Sequence, residues 1–196
     1  MIKLPFIYTK RLLLRPLRKQ DAKSIYAYAK REDVGPSAGW VPHTSIQDTY
    51  EFIDYALHKR KLNQPGVWVI IEQTTDRLIG TIEIHSYQGY KAEIGFVLHP
   101  NCWNQGYITE ASLAVMVYAF EELKLSRLAY HHFLDNYASR RVREKLGFHI
   151  EGIKRKGFKH GDGTILDEVV ASFTKDDYKA KKALFDEVKA SIKILN

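Results

Sequence analysis

The stretch Trp103-Asn104-Gln105-Gly106-Tyr107-Ile108-Thr109-Glu110-Ala111 follows a strand-like run and opens a long apolar helix. The first amides of a helix have no intrahelical acceptor and lie at the positive end of its dipole, so such a loop suits an anion such as a diphosphate. Further along, Asn136 and Ser139 stand three residues apart at the start of another helix, hence on one face. Glu83, His85 and Glu93 fall on two neighbouring strands, where a carboxylate or an imidazole can take up a proton. Trp40 and His43 share a turn-rich loop, and a rigid aromatic beside a polar tip suits ligand recognition. Cys102 is the single cysteine. It precedes the anion loop as a nucleophile would, although a lone cysteine is more often a packing residue.

These residues need elements to position them. The spacing predicts a first strand over 11–15, stopped by Pro16, and a helix over 20–31. A loop over 33–44 carries two glycines and two prolines, and Ser45 caps a second helix over 46–62. Three strands follow over 67–72, 78–85 and 92–99. In the last of them Ile94, Phe96 and Leu98 alternate with Glu93, Gly95 and Val97, and Pro100 ends it. A central helix over 106–123 precedes a fifth strand over 127–133. A basic helix runs from Asn136 to Leu146 and is terminated by Gly147. Two strands near 148–156 and 165–173 complete the sheet, and a last helix follows the cap-like Thr174-Lys-Asp-Asp177. The order predicts a mixed α/β sheet of about seven strands with flanking helices, without the strict alternation of a doubly wound fold.

A chain of 196 residues holds one domain with a full core. Thirty Lys+Arg against 23 Asp+Glu give a formal charge of +7, which favours anionic partners: a phosphorylated cofactor, nucleic acid or an acidic surface. One cysteine excludes an internal disulfide and a multi-thiolate zinc site. The eight histidines lack ligand spacing, since the adjacent His131 and His132 point to opposite faces of a strand, so no metal is expected. There is no signal-peptide pattern and no apolar run near the length of a membrane span, so the expected compartment is the cytoplasm, without membrane partners.

Three patterns occur in one order: Glu93-Ile-Gly-Phe96 on a strand, Gln105-Gly-Tyr107 in the loop, and Asp135-Asn-Tyr-Ala-Ser139 followed by Glu144-Lys-Leu-Gly-Phe148. Together they resemble the GNAT superfamily of acyl-CoA-dependent N-acyltransferases, and more narrowly its ribosomal-protein-alanine N-acetyltransferase branch. The resemblance runs from Thr9-Lys-Arg-Leu-Leu-Leu-Arg15 to Asp167-Glu168. It implies an acyltransferase domain over 1–174, with the final helix, 175–196, packed on that domain or on a second subunit as a homodimer. It also implies a splay between the fourth and fifth strands, with acetyl-CoA as cosubstrate and no metal.

The resemblance further implies that the amides of Trp103, Asn104, Gln105, Gly106, Tyr107 and Ile108 cradle the pyrophosphate of the cofactor. Trp103 and Ile108 depart from the family pattern there, and Ile108 stands where a small residue is usual. Val97 and Leu98 would hold the pantetheine arm by their main chain, with an N–H facing the thioester oxygen. Asn136 matches a pantetheine-contacting position. Seven residues on, where many members carry a proton-donating Tyr, this chain has Arg143, which cannot act as an acid; with Arg140 and Arg141 it forms a basic cluster that could meet a cofactor phosphate. The ribosomal branch is similar to this chain in placing Ser where Ser139 falls, so the resemblance makes Ser139 the expected donor to the leaving thiolate, with Glu93 ranked first and His85 second as general base. Trp40 and His43 would border the acceptor. The implied activity moves an acetyl group to a primary amine, either a protein N-terminus or a small molecule, by direct attack in a ternary complex. Two alternatives stand beside it: a CoA-binding protein without turnover, and a basic ribosome- or RNA-binding module. Aromatics do not interleave with Lys/Arg, so nucleic acid is not expected except through a ribosomal target.

Overall fold

In the computed structural model, which describes residues 2–195, nine strands form one sheet. They are β1 (Phe6–Tyr8), β2 (Leu12–Pro16), β3 (Gly66–Glu72), β4 (Arg77–His85), β5 (Lys91–Leu98), β6 (Arg127–Phe133), β7 (His149–Lys159), β8 (Ile165–Thr174) and β9 (Lys193–Leu195). The helices are α1 (Ala22–Ala29), α2 (Gly35–Ala38), α3 (Ile46–Lys61), α4 (Tyr107–Val117), α5 (Tyr137–Leu146), α6 (Lys175–Ala180) and α7 (Lys182–Ser191). The spatial order is β7-β8-β6-β5-β4-β3-β2-β1-β9, antiparallel throughout except for the parallel pair β5–β6, whose crossover carries α4. Among the described residues no helix is long and apolar enough to cross a membrane.

Two cores sandwich the sheet. Ile82, Ile84, Ile94 and Leu98 face α4, whose Ala111, Ala114 and Val115 are fully buried, while Val67, Val69 and Ile71 face Ile25 of α1 and Ile53 of α3. Small residues on α4 let the helix lie close to the sheet, and each fully buried Ile or Leu contributes about 1.5–3 kcal/mol. The helices begin where side chains supply the missing acceptors. Asp48 accepts from the amides of Thr44 and Ser45 at the head of α3, and Asp177 does so for Thr174 ahead of α6.

The strands β5 and β6 pair only at Lys91–Arg127, Ala92–Leu128 and Glu93–Ala129. Past that point they separate, although β5 stays paired to β4 as far as Leu98 and β6 to β8 as far as Phe133. Each half of the sheet is therefore complete on its outer side, and Phe96 and Tyr130 (centroids 5.8 Å apart) fill the inner end of the wedge. This is the splay expected between the fourth and fifth strands of the seven. Gly80 sets the position of the open edge, because a Cβ there would stand 2.2 Å from the carbonyl oxygen of Val97.

Nine strands replace the expected seven. The additions, β1 and β9, have three residues each, too few to show an alternation, and they exist because they pair with each other at the sheet edge. The final segment is not one helix. It breaks at Lys181 into α6 and α7, α7 packs on α4, and the last described residues form β9. The expected loop over 33–44 contains α2, started by Pro36 and closed by Gly39 at φ +92°. The central helix ends in one π-helical turn, Tyr118–Glu122, which carries Phe120 against Phe173 and Tyr178.

Candidate active site

The parted strands open a cleft of about 490 Å³ that passes from the α4–α5 side of the sheet to the α1–α2 side. Its two ends differ in charge.

At one end lies the N-terminus of α4. Gly106 is its N-cap at φ +78°, preceded by Asn104 at φ +59°, and no side chain caps the first turn. Tyr107, Ile108 and Thr109 line the cleft there, together with Arg141 and Lys145 of α5. The turn is braced from behind. Arg11 donates to the Glu110 carboxylate (2.6 Å) and to the Gln105 carbonyl (2.9 Å), and its guanidinium sits 4.4 Å from the Tyr107 ring centre. Uncapped amides, a helix dipole and two cations make this an anion-binding end.

The expected cofactor residues divide. Val97, Leu98, Trp103, Asn104, Gly106, Tyr107, Ile108, Asn136 and Ser139 line the cleft; Gln105 and Arg143 do not. The Gln105 side-chain Nε2 donates to the Asn101 carbonyl (2.9 Å), away from the cleft. Arg143 is 7% exposed and donates to the Phe148 carbonyl (3.2 Å), because position 143 falls on the inward stripe of α5 with Leu146. Of the expected basic cluster, Arg141 lines the cleft and is joined there by Lys145, while Arg140 and Arg143 do not line it. Ile108 turns its side chain into the core, 7% exposed, so it does not stand across the amides. Trp103 donates its indole N–H to the Leu98 carbonyl (2.9 Å) and so closes the end of the open β5 edge.

Asn136 is the N-cap of α5. Its Oδ1 accepts from the Ser139 amide (2.9 Å) and its Nδ2 donates to the Ser37 carbonyl (2.8 Å), tying α5 to α2 across the cleft. The Ser139 hydroxyl lies 2.7 Å from the hydroxyl of Tyr130, which is 2.8 Å from the Ser139 carbonyl. Burial raises the Tyr130 hydroxyl well above the ordinary tyrosine range, so it stays a neutral proton donor. The sequence reading missed Tyr130; its signal is the aromatic position beside His131 on the strand facing Ser139.

The opposite end is acidic. Glu83, Glu93 and Glu168 line it with His85, His131 and an aromatic rim of Trp40, Phe133 and Phe158. Oε1 of Glu93 lies 3.3 Å from Nδ1 of His131 and 3.8 Å from Nε2 of His85. Burial, reinforced by Glu168 and Glu83, raises the Glu93 carboxyl to about 7, and Lys154 opposes this only in part. Burial alone raises Glu83 to about 7. His85 is depressed to about 4 by burial and by His131, and His131 is depressed chiefly by burial. The imidazoles are therefore neutral at pH 7 while Glu93 is poised between its two forms. Trp40 lines the cleft, but His43 does not: its Nδ1 is 2.8 Å from the Thr49 hydroxyl and it turns toward α3. Glu168 and His131 were not among the expected site residues, since only the β6–β8 and β5–β6 registers bring them beside Glu93.

Comparison with known proteins agrees with this geometry. Residues 11–149 match the acetyltransferase (GNAT) domain. The chain is 35% identical over 176 residues to the uncharacterised N-acetyltransferase YoaA of Bacillus subtilis, covering 87% of this chain and 97% of that protein. A GNAT-family acetyltransferase structure from Bacillus anthracis superposes with a TM-score of 0.76 at 29% identity, covering 87% of this chain and 99% of that one. The fold is also that of a ribosomal-protein-alanine acetyltransferase from Vibrio fischeri (TM-score 0.74, 21% identity, covering 90% and 99% of the two chains). With its parted strands, uncapped helix mouth and matched domain, the chain belongs to the GNAT N-acetyltransferases.

Proposed function

We propose that the protein transfers the acetyl group of acetyl-CoA to a primary amine by direct attack within a ternary complex. The observation that carries this reading is one continuous cleft with an anion-binding helix mouth at one end and a carboxylate raised to about 7 at the other. Its residues fit the cosubstrate. The first-turn amides of α4 and the charges of Arg141 and Lys145 suit the phosphates, and the β5 edge left unpaired past Glu93 suits an amide-bearing arm. Acetyl-CoA supplies an acetyl thioester whose carbonyl carbon the amine attacks and whose thiol departs.

Glu93 takes the proton of the incoming ammonium, directly or through water, and neutral His131 and His85 hold its carboxylate in place. A main-chain N–H on the open β5 edge near Val97 and Leu98 offsets the negative charge that grows on the thioester oxygen. Ser139 gives a proton to the departing sulfur and recovers one from solvent in the cleft, while Tyr130, donating to the Ser139 carbonyl, holds the residue in place. A free thiol has a pKa of about 8.5, so this last task is modest, and Ser139→Ala is expected to lower kcat about tenfold. Tyr130→Phe should give a smaller loss of the same kind. Single-turnover thiol release would check both, and an unchanged kcat in Ser139→Ala would reassign the donor to water.

Burial raises the Cys102 thiol, and it is 9% exposed. Although Cys102 lines the cleft, a thiol held in its neutral form is a poor nucleophile, and no acyl-carrying step is assigned to it. Cys102→Ala is expected to retain turnover within about threefold, because only packing changes. Intact mass after incubation with acetyl-CoA alone should show no acetyl adduct.

The acidic end also argues against an RNA-binding role for the cleft, since three carboxylates repel a phosphate backbone. We assign residues 1–174 to the acyltransferase domain and 175–196 to a brace, with Phe185 buried on the α4 side and β9 closing the sheet edge. The direct test is a melting scan: saturating acetyl-CoA at about 100 Kd should stabilise the fold by about 2.7 kcal/mol. A scan without any shift at millimolar ligand removes the proposal.

A further inference from the structure

A second cavity, of about 390 Å³, opens beside the helix mouth, a volume suited to a small ligand. Gly106, Thr109 and Lys145 line both it and the active-site cleft, so the two meet at the anion-binding end. Gly106, Thr109, Glu110 and Leu113 follow one face of α4, which leads from the uncapped amides toward α7. The far wall is α7 with its C-cap Ile192, and this segment lies beyond residues 11–149, the matched domain.

The walls differ in character. Phe185, Val188 and Ile192 form a single stripe on α7. Phe185 is buried, whereas Val188 and Ile192, like Leu113 of α4, are only partly covered and leave an apolar slot. At its rim stand Lys10, from the turn between β1 and β2, and Lys145, from the last turn of α5. Both are exposed, and neither makes an ion pair or a side-chain hydrogen bond among the described residues. Glu110 also lines the cavity, but Arg11 (2.6 Å) and the Thr9 hydroxyl (2.6 Å) take up its carboxylate. The unbalanced charge at the slot is therefore positive. A flat apolar group joined to a phosphate satisfies both walls, whereas an apolar group alone leaves the two lysines without a partner.

Resting on the acetyltransfer reading above, we propose that this cavity receives the 3′-phosphoadenosine end of acetyl-CoA. The purine lies on Leu113, Val188 and Ile192, and the ribose phosphate meets Lys10 and Lys145. The C-terminal segment is then a wall of the cosubstrate site as well as a brace. It sorts a thioester carrier that bears the full nucleotide from one that ends at phosphopantetheine.

The test titrates CoA, 3′-dephospho-CoA and 4′-phosphopantetheine calorimetrically into the full chain. None of them carries an acetyl group, so binding is read without turnover. CoA is expected to bind about tenfold or more tighter than dephospho-CoA, the worth of a charged hydrogen bond. Lys10 is exposed, so Lys10→Ala leaves packing untouched and should bring that ratio down to about threefold or less. Val188→Trp fills the slot. It should weaken CoA by about tenfold or more and leave 4′-phosphopantetheine unchanged, since only the purine loses its apolar contact.

Equal affinity for CoA and dephospho-CoA in the unaltered protein overturns the inference, as does an undiminished ratio in Lys10→Ala. So does a folded Val188→Trp that loses phosphopantetheine as much as CoA, because α7 then acts on the mouth alone. Should that variant not fold, the Lys10→Ala ratio decides. Binding of none of the three ligands sinks the acetyltransfer reading and this inference with it. CoA and phosphopantetheine bound equally well sink this inference alone. The expected ratios without amine acetylation from acetyl-CoA keep it and sink the acetyltransfer reading.

Discussion

Glu93→Gln is expected to lower kcat/KM for amine acetylation by about 100- to 1000-fold, the range for loss of a positioned general base. The unaltered enzyme should show an acid limb that rises as the Glu93 carboxyl ionises, with a midpoint near about 7, and the variant should lack it. The amide keeps the shape and most contacts of the carboxyl, so the loss reads on chemistry rather than packing.

Stability should move the other way. The folded-state pKa of Glu93 is raised above its unfolded value of 4.5, so the native state binds its proton more tightly than the unfolded chain does. Its contribution is therefore complete below 4.5, declines as pH rises through the window up to about 7, and is a standing penalty above it. An amide at position 93 removes that penalty. At pH 8 the inactive variant should melt higher than the parent by about 2–4 °C for each kcal/mol recovered. A merely structural Glu93 would produce the opposite result: lower melting, with activity falling only as the fold is lost. Melting scans at pH 5 and pH 8, beside pH–rate profiles of both proteins, separate the two.

The second large effect is expected at Gly80, a residue that touches no ligand. Gly80→Ala places a methyl 2.2 Å from the Val97 carbonyl oxygen and 3.0 Å from the Leu98 Cα. Both are backbone atoms of a strand fixed by its ladder to β4, so neither gives way without moving the open edge. Overpacking of this kind costs about 1–3 kcal/mol. Because displacing a reacting group by about 1 Å can cost 100-fold, kcat/KM for acetyl-CoA is expected to fall by about ten- to 100-fold. The melting shift induced by acetyl-CoA should shrink in the same protein. A variant with full activity and normal acetyl-CoA affinity would show that the position of β5 does not set the cofactor geometry.

Much of the fold was legible along the chain because its causes are local. Capping boxes at Ser45 and Thr174, the αL stop at Gly147 and the two-residue alternation through Glu93-Ile94-Gly95-Phe96 each involve residues within a few positions of one another. The anion-binding mouth at Gly106 was readable for the same reason: an uncapped helix start is a property of the turn itself. Gln105, His43 and Arg143 were not. Each is polar and sits near the right element, and each is taken up by a protein partner (the Asn101 carbonyl, the Thr49 hydroxyl and the Phe148 carbonyl) that local spacing does not reveal.

The order of elements, the helix mouth and the carboxylate on the fourth long strand are thus set by the amino-acid sequence through short-range sterics, capping and periodicity. Which side chains face one another across the cleft is set by the tertiary structure. Glu93 meets His131, 38 positions away, only because the parallel β5–β6 register stops where it does. Within the basic cluster, Arg141 faces the mouth and Arg143 the core only because of the rotation at which α5 docks. Strand register and helix rotation are fixed by the burial of distant apolar faces against each other, an interaction that no local window of sequence contains.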